Sequence, residues 1–281
     1  GCTKVNSNTG GMKYAGENIE LNKKAEIWID EAQDLNEKYF NAMVKMMFKT
    51  KVDVVVVGDE LQSLEYEENL ITKSKDKIPN ININRVKPIN ENRRIKVNQL
   101  AEEINKLVRF SRYDMLPISS AVDSLKDVGN AMNIIDMPDI SKSKQGGSDF
   151  GKISMFIDNI IEIVKTEVKN NKYNPEDFLF IFPIMKNNIM AGELETRLNE
   201  FWINYKKDEE GTYKKYAILH KHEEGSVIDL NLSKSASRIV SIRSSKGDGR
   251  KVVFVLGCTE ESLKIVSRCK EKNFIYESYV H

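Results

Sequence analysis

Trp28-Ile29-Asp30-Glu31-Ala32-Gln33-Asp34 closes one short apolar run, and Val55-Val56-Val57-Gly58-Asp59-Glu60-Leu61-Gln62-Ser63 closes the next. Between them Leu35, Tyr39, Phe40, Met43, Met46 and Met47 recur at helical spacing. Those methionines fill a core-facing helix side rather than form a binding stripe. The run at 52 to 57 is mostly β-branched, as in strands buried in a parallel sheet. The whole is a strand–helix–strand unit with carboxylates and amides just past the carboxyl end of both strands. That edge is where open α/β sheets bind ligands.

Working outward, residues 1 to 24 are polar and rich in Gly and Asn, and residues 65 to 88 are charged and Asn-rich, with Pro79 and Pro88 bracketing an expected domain crossing. Helices are predicted at 97 to 108, 153 to 168 and 192 to 202, and strands at 177 to 183, 239 to 242 and 252 to 256. The Ser/Lys/Gly stretch from 141 to 148 reads as an exposed loop. Strands and helices alternate through both halves, so an α/β architecture with largely parallel sheets is expected.

Composition narrows the function classes. The chain has 281 residues, 40% hydrophobic and 30% charged, an ordinary globular balance. With 43 basic and 42 acidic residues, a uniform basic field is excluded, and any nucleic-acid contact must come from a local stripe. Lysines outnumber arginines 33 to 10, which makes each arginine worth locating. No apolar run is long enough for a membrane span and no signal-peptide core opens the chain, so no membrane partner is expected. Cys2, Cys258 and Cys269 are too few for a disulfide framework or a four-ligand zinc site, pointing to a reducing intracellular compartment.

Two constellations carry chemistry. In WIDEAQD a strand ending in Asp-Glu suits nucleotide hydrolysis: Asp30 can hold Mg²⁺ through water, and Glu31 can accept a proton from the attacking water. Acidic residues also favour a helix N-terminus, with Asp34 or a neighbour as cap. In GDELQS, Gly58 permits a sharp turn, and Asp59 and Gln62 present a carboxylate and an amide to the same sheet edge; a plain strand-to-loop turn has the same residues.

Together these segments resemble motifs II and III of superfamily 1 helicases of the UvrD/Rep-like branch, DEAQD being followed 28 positions later by GDxxQS. The resemblance implies two RecA-like P-loop NTPase domains with parallel sheets flanked by helices, ATP and Mg²⁺ as cofactors, and single-stranded DNA or RNA as partner, with no obligate protein partner. It assigns Asp30 to the metal, Glu31 to the water and Gln62 to the γ-phosphate, with Gln33 and Asp59 beside the nucleotide.

The family opens its second RecA-like domain with an Asn-x-Arg motif. Asn92-Arg93-Arg94 resembles it, implying Arg94 as the γ-phosphate arginine and Arg93 beside the nucleotide, a one-residue slip exchanging the two. Residues 239 to 257, IVSIRSSKGDGRKVVFVLG, resemble motif V, with Ser241, Arg243, Lys246 and Gly247 at its Thr, His, Lys and Gly positions. That implies Ser241, Arg243, Ser245 and Lys246 along the nucleic-acid backbone and Gly247 beside the nucleotide. Two departures stand out: Arg243 replaces the histidine, and Gly249 replaces the acidic residue that touches the nucleotide. Tyr66 is the nearest aromatic for stacking on a base. His220 and His222 form an H-x-H pair expected to face one side of a strand, with no third ligand at a definite spacing.

No GxxxxGK[ST] phosphate loop occurs, and only 29 residues precede Asp30. Tyr279-Val280-His281 resembles the lead-in to the family's last arginine-finger motif and stops before the arginine. The expectation is therefore a fragment cut at both ends: 1–88 as the later, incomplete part of the first RecA-like domain and 89–281 as the second, truncated before its last motif. A decayed, non-catalytic nucleic-acid-binding or scaffold protein is the alternative. A helicase–nuclease subunit would need nuclease motifs that this segment lacks. Only 35 residues separate Trp202 from Arg238, so the large inserted domain of bacterial relatives is reduced or absent. The Asn/Lys-rich composition and residues 244 to 257 resemble helicases of large DNA viruses, which puts the expected location in a host cytoplasm, nucleus or viral factory. Residues 1–281 alone are expected to hydrolyse no ATP.

Overall fold

A computed structural model describes residues 26–35, 53–59, 62, 91–92, 98–110, 119–120, 133–137, 148–206, 215–220 and 231–267. These fall into two compact units, one drawn from 1–132 and 267–281, the other from 133–266. The domain boundary expected at 88 and 89 lies outside the described residues, as do the Met43, Met46 and Met47 helix face, Tyr66, Arg93, Arg94 and His222.

In the first unit, β1 (Glu26–Ile29) and β2 (Asp53–Val56) pair in parallel, with Trp28 opposite Val55 and Ile29 opposite Val56. The pairing continues past the strands, because the Val57 N–H donates to the Ile29 carbonyl at 2.8 Å and the Ala32 N–H to the Val57 carbonyl at 3.1 Å. A second parallel pair joins β3 (Glu91–Asn92) to β4 (Ser119–Ser120). Between them, α1 (Asn98–Phe110) occupies the place of the helix predicted at 97 to 108 and buries Ala101.

The second unit is a four-stranded parallel sheet with helices laid on it. Its elements in chain order are α2 (Ser148–Asn171), β5 (Phe178–Phe182), α3 (Ile189–Lys206), β6 (Ala217–Leu219), β7 (Ser237–Ser241), β8 (Val252–Val255) and α4 (Glu260–Ser267). Spatial order is β6-β7-β5-β8, and every neighbour pair is parallel. The Phe-Leu-Phe-Ile-Phe run of β5 suits its central place, since a strand covered on both faces has no use for polar alternation. Phe178, Phe180 and Phe182 face the core with Ile239 of β7 and Phe254 of β8. Against them α2 presents Ile153, Phe156, Ile157, Ile160, Ile161, Val164 and Val168, an i, i+3, i+4 stripe, and α3 presents Met190, Leu194, Leu198 and Trp202.

Both long helices run beyond the ranges predicted for them. Asn188 caps α3 by accepting the Ala191 N–H at 3.1 Å, so the helix starts ahead of 192. Ser148, expected to close a loop, is instead the first residue of α2. The strand β6 was not predicted and ends at Leu219, so His220 follows it rather than lying within it. It is only three residues long, and a buried amide holds it: Asn199 donates to the Ala217 carbonyl and accepts from the Tyr216 and Ala217 N–H groups at 2.9 and 3.0 Å.

A small polar knot closes the amino end of β5. Asp177 accepts from the Asn174 N–H and pairs with Lys251 at 3.0 Å. Burial works to raise the Asp177 carboxyl, but the Asn174 N–H and the Lys251 ammonium together hold it below its ordinary value. A carboxyl lowered in the folded state adds stability above its unfolded value of about 3.9, and that stability goes as pH falls through the folded value. The urea midpoint of this unit is therefore expected to drop on acidification, and to drop less in Asp177→Asn. Equal acid sensitivity in the two proteins would show that Asp177 contributes nothing to it.

Candidate functional site

The carboxyl edge of the β1–β2 pair brings Asp30–Asp34 together with Gly58, Asp59 and Gln62. Asp30 turns back on the chain, its Oδ1 accepting the Glu31 N–H at 2.9 Å. Glu31 then adopts a left-handed conformation, φ 54° and ψ 39°, which costs a non-glycine residue about 1 kcal/mol. Residues Ala32–Asp34 form a 3₁₀ turn that carries Gln33 inward.

Gln33 is the hinge of the arrangement, and it is 1% exposed. Its Nε2 donates to Glu31 Oε2 at 2.5 Å, and its Oε1 accepts the Asp59 N–H at 3.0 Å. Asp59 in turn accepts from Gln62 Nε2 at 2.9 Å, and the Gln62 N–H donates to the Asp59 carbonyl. One chain of hydrogen bonds thus links Glu31, Gln33, Asp59 and Gln62 across two strands that are far apart in sequence. The amide of Gln33, expected beside the nucleotide, has both ends taken by protein groups. Asp30, Glu31 and Gln62 are exposed at the edge, as a group meeting a ligand must be.

Among the described residues no cluster of three His, Cys, Asp or Glu side chains could hold a metal ion by itself. Mg²⁺ makes a smaller demand, since it keeps most of its waters and takes one or two carboxylates plus substrate phosphate. The exposed Asp30 carboxylate at a strand end fits that requirement.

In the second unit, the carboxyl edge of β7 opens into residues 242 to 251, which return without a helix to the start of β8. The first turn is tight: the Ser244 and Ser245 N–H groups both donate to the Ser241 carbonyl at 2.9 Å. Ser241 and Ser244 share a hydroxyl hydrogen bond of 2.9 Å, and the Ser245 hydroxyl donates to the Ile242 carbonyl. Arg243 stands exposed, one Nη donating to the Val266 carbonyl in the last turn of α4 at 2.9 Å. Lys246 leads into Gly247, whose φ of 77° is the left-handed turn that glycine suits.

Two arginines of this segment turn inward. Arg238, on β7, pairs with Asp248 at 2.7 Å and donates through Nε to the Ser233 hydroxyl at 2.9 Å. Arg250 donates to the carbonyls of Glu176, Ser233 and Ala236. Burial first, then the neighbouring Arg238 charge, hold its guanidinium below its ordinary value. Arg250 therefore fastens the amino end of the sheet, although it sits in a motif-like segment. Sequence reasoning overlooked Arg238 and Asp248; the available signal was an arginine directly before the apolar Ile239-Val240 of the strand Ser237–Ser241.

No helix among the described residues is long and apolar enough to cross a membrane. Comparison of the chain with protein-family models, curated proteins and solved structures finds no match.

Proposed function

We propose that this chain serves an ATP-driven motor on single-stranded DNA or RNA, built on two RecA-like domains of the superfamily 1 helicase kind. The observation that carries the reading is the hydrogen-bonded junction of DEAQD and GDELQ at one parallel-sheet edge, from Glu31 through Gln33 and Asp59 to Gln62. Such a junction gives a γ-phosphate sensor a direct path to a general base. In this reading Asp30 holds Mg²⁺, Glu31 activates water, and Gln62 with Arg94 faces the γ-phosphate. Asp59 and Arg93 lie beside the nucleotide. Ser241, Arg243, Ser245 and Lys246 follow the nucleic-acid backbone with Tyr66 on a base, and the left-handed turn at Gly247 keeps that loop open to phosphate.

The test is binding of a short fluorescein-labelled oligothymidylate, followed by anisotropy against salt. Lys246→Ala is expected to weaken binding and to lower the salt slope by about 1, the signature of one lost phosphate contact. No measurable binding by the wild-type chain, or a Lys246→Ala curve that overlays it, would sink the nucleic-acid half. For the nucleotide half, DNA-stimulated hydrolysis by residues 1–281 that disappears in Glu31→Gln would establish an active motor within this stretch.

One observation favours a second reading, a non-catalytic nucleic-acid-binding protein on the same fold. Gly249 stands at the acidic position, and the acid beside it, Asp248, is held by Arg238. Oligonucleotide affinity that ignores ATP analogues would support that reading over the motor.

A further inference from the structure

The loop proposed to carry phosphate also carries a carboxylate. Asp248 lies two residues beyond Lys246, and a carboxylate there opposes a polyanion along the same path. The structure supplies its counter-charge from outside the loop. In the parallel register Arg238 lies opposite Leu179, while its neighbour Ile239 lies opposite Phe180 in the core. Side chains alternate along a strand, so Arg238 projects from the sheet face opposite that core. The loop returns over that face, and Arg238 Nη1 meets Asp248 Oδ2 at 2.7 Å, the two side chains being 11% and 19% exposed.

The pair is built rather than incidental. Arg238 is fixed at Nε by the Ser233 hydroxyl, and Ser233 is fully buried. Asp248 is fixed by its N–H on the Ser245 carbonyl at 2.8 Å and by the Gly249 N–H on Oδ1 at 3.0 Å. Its backbone bond spans the Lys246–Gly247 turn, so the same residue that brings the unwanted charge also closes the turn. The turn is closed by a backbone N–H, so the Asp248 carboxylate is not what shapes it, and a lysine-bearing turn that carries this charge needs something to cancel it.

We propose that Arg238 is a positioning residue for phosphate binding: it masks the Asp248 carboxylate and ties the Lys246–Gly247 turn to β7, so that Arg243 and Lys246 set the sign of the field at the loop surface. This rests on the nucleic-acid reading above.

The experiment is oligothymidylate anisotropy at about 50 mM salt on the whole chain, where charge effects are large. Arg238→Met is expected to weaken binding about tenfold, because it leaves the Asp248 carboxylate without its ion-pair partner beside the phosphate path. Asp248→Asn, which keeps the shape and an acceptor for Arg238, is expected to tighten binding about threefold. The double variant should return to within about twofold of wild type, and Arg238→Lys should stay there too. A residue that merely braces the fold gives another pattern: every substitution weakens binding, and the double variant is no better than the worse single one. Should Arg238→Met not fold, Asp248→Asn and Arg238→Lys decide the question: a weaker Asp248→Asn overturns the masking role. If the wild-type chain binds no oligonucleotide, the nucleic-acid reading falls and takes this role with it. If wild type binds through Lys246 and Asp248→Asn does not tighten it, only the masking role falls.

Discussion

Phe180→Ala is expected to lower the unfolding free energy of the unit spanning 133–266 by about 3–5 kcal/mol. Phe180 is 0% exposed on the central strand, its ring stacked on Phe254 at 4.9 Å and beside Phe178 at 6.5 Å. Truncation removes the transfer free energy of the ring and leaves a cavity that two strands and two helices cannot close without moving. Because domains are stable by only about 5–15 kcal/mol, this single change takes a large share of the total. Trp202 provides the readout: it is fully buried, 5.9 Å from Phe178, whereas Trp28 in the other unit is already 67% exposed. A urea titration followed by tryptophan emission should therefore report this unit almost alone. Phe180→Leu, which refills most of the space, should cost markedly less. A Phe180→Ala midpoint equal to that of wild type would mean that the core lies elsewhere.

Gln33→Leu should open the junction between the two motif loops. The substitution deletes one bond to a carboxylate and one to a backbone N–H, together about 2–3 kcal/mol of local stability. The effect is read at the Asp59 amide, whose hydrogen exchange should accelerate about 30-fold to 160-fold while amides of the second unit keep their protection. Gln33→Glu sharpens the test. It restores an acceptor for the Asp59 N–H but sets a second carboxylate against Glu31, where the amide now sits at 2.5 Å. Two carboxylates at that range cannot both stay ionised, so one is pushed up, and protection should return on mild acidification. Unchanged Asp59 exchange in Gln33→Leu would mean that the loops are held together by other contacts.

Much of the fold was legible because burial writes itself into residue order. The Phe-Leu-Phe-Ile-Phe run of β5 reads as a strand covered on both faces, and it is; the β-branched run before Gly58 forms a parallel strand as read, but Val56 and Val57 are exposed rather than buried. The α2 stripe also announced its helix, yet not the helix's full length, since its ends lie beyond the apolar residues. The strand Ala217–Leu219 escaped notice because Asn199, eighteen positions earlier, makes the bonds that hold it. A short strand pinned by a remote amide leaves no periodic trace.

The candidate site divides in the same way. Asp30, Glu31, Asp59 and Gln62 were marked by type and by their place after apolar runs. Gln33 was marked too, but nothing in DEAQD says that its side chain turns inward and spans to the next strand. Arg243 and Arg250 both fall in the segment 239 to 257 that resembles motif V. Their partners separate them, since Arg243 stays exposed at the last turn of α4 while Arg250 is spent on the carbonyls of Glu176, Ser233 and Ala236.

By itself, then, the order of residues determined the α/β class, the parallel character of the sheets and which strand ends carry acids and amides, because hydrophobic periodicity and turn chemistry are local. Which of those polar groups meet, and which charges cancel, was decided by the tertiary structure alone. Hydrogen bonds and ion pairs act over about 3 Å, and only the strand order β6-β7-β5-β8 and the β1–β2 register bring such partners within that reach.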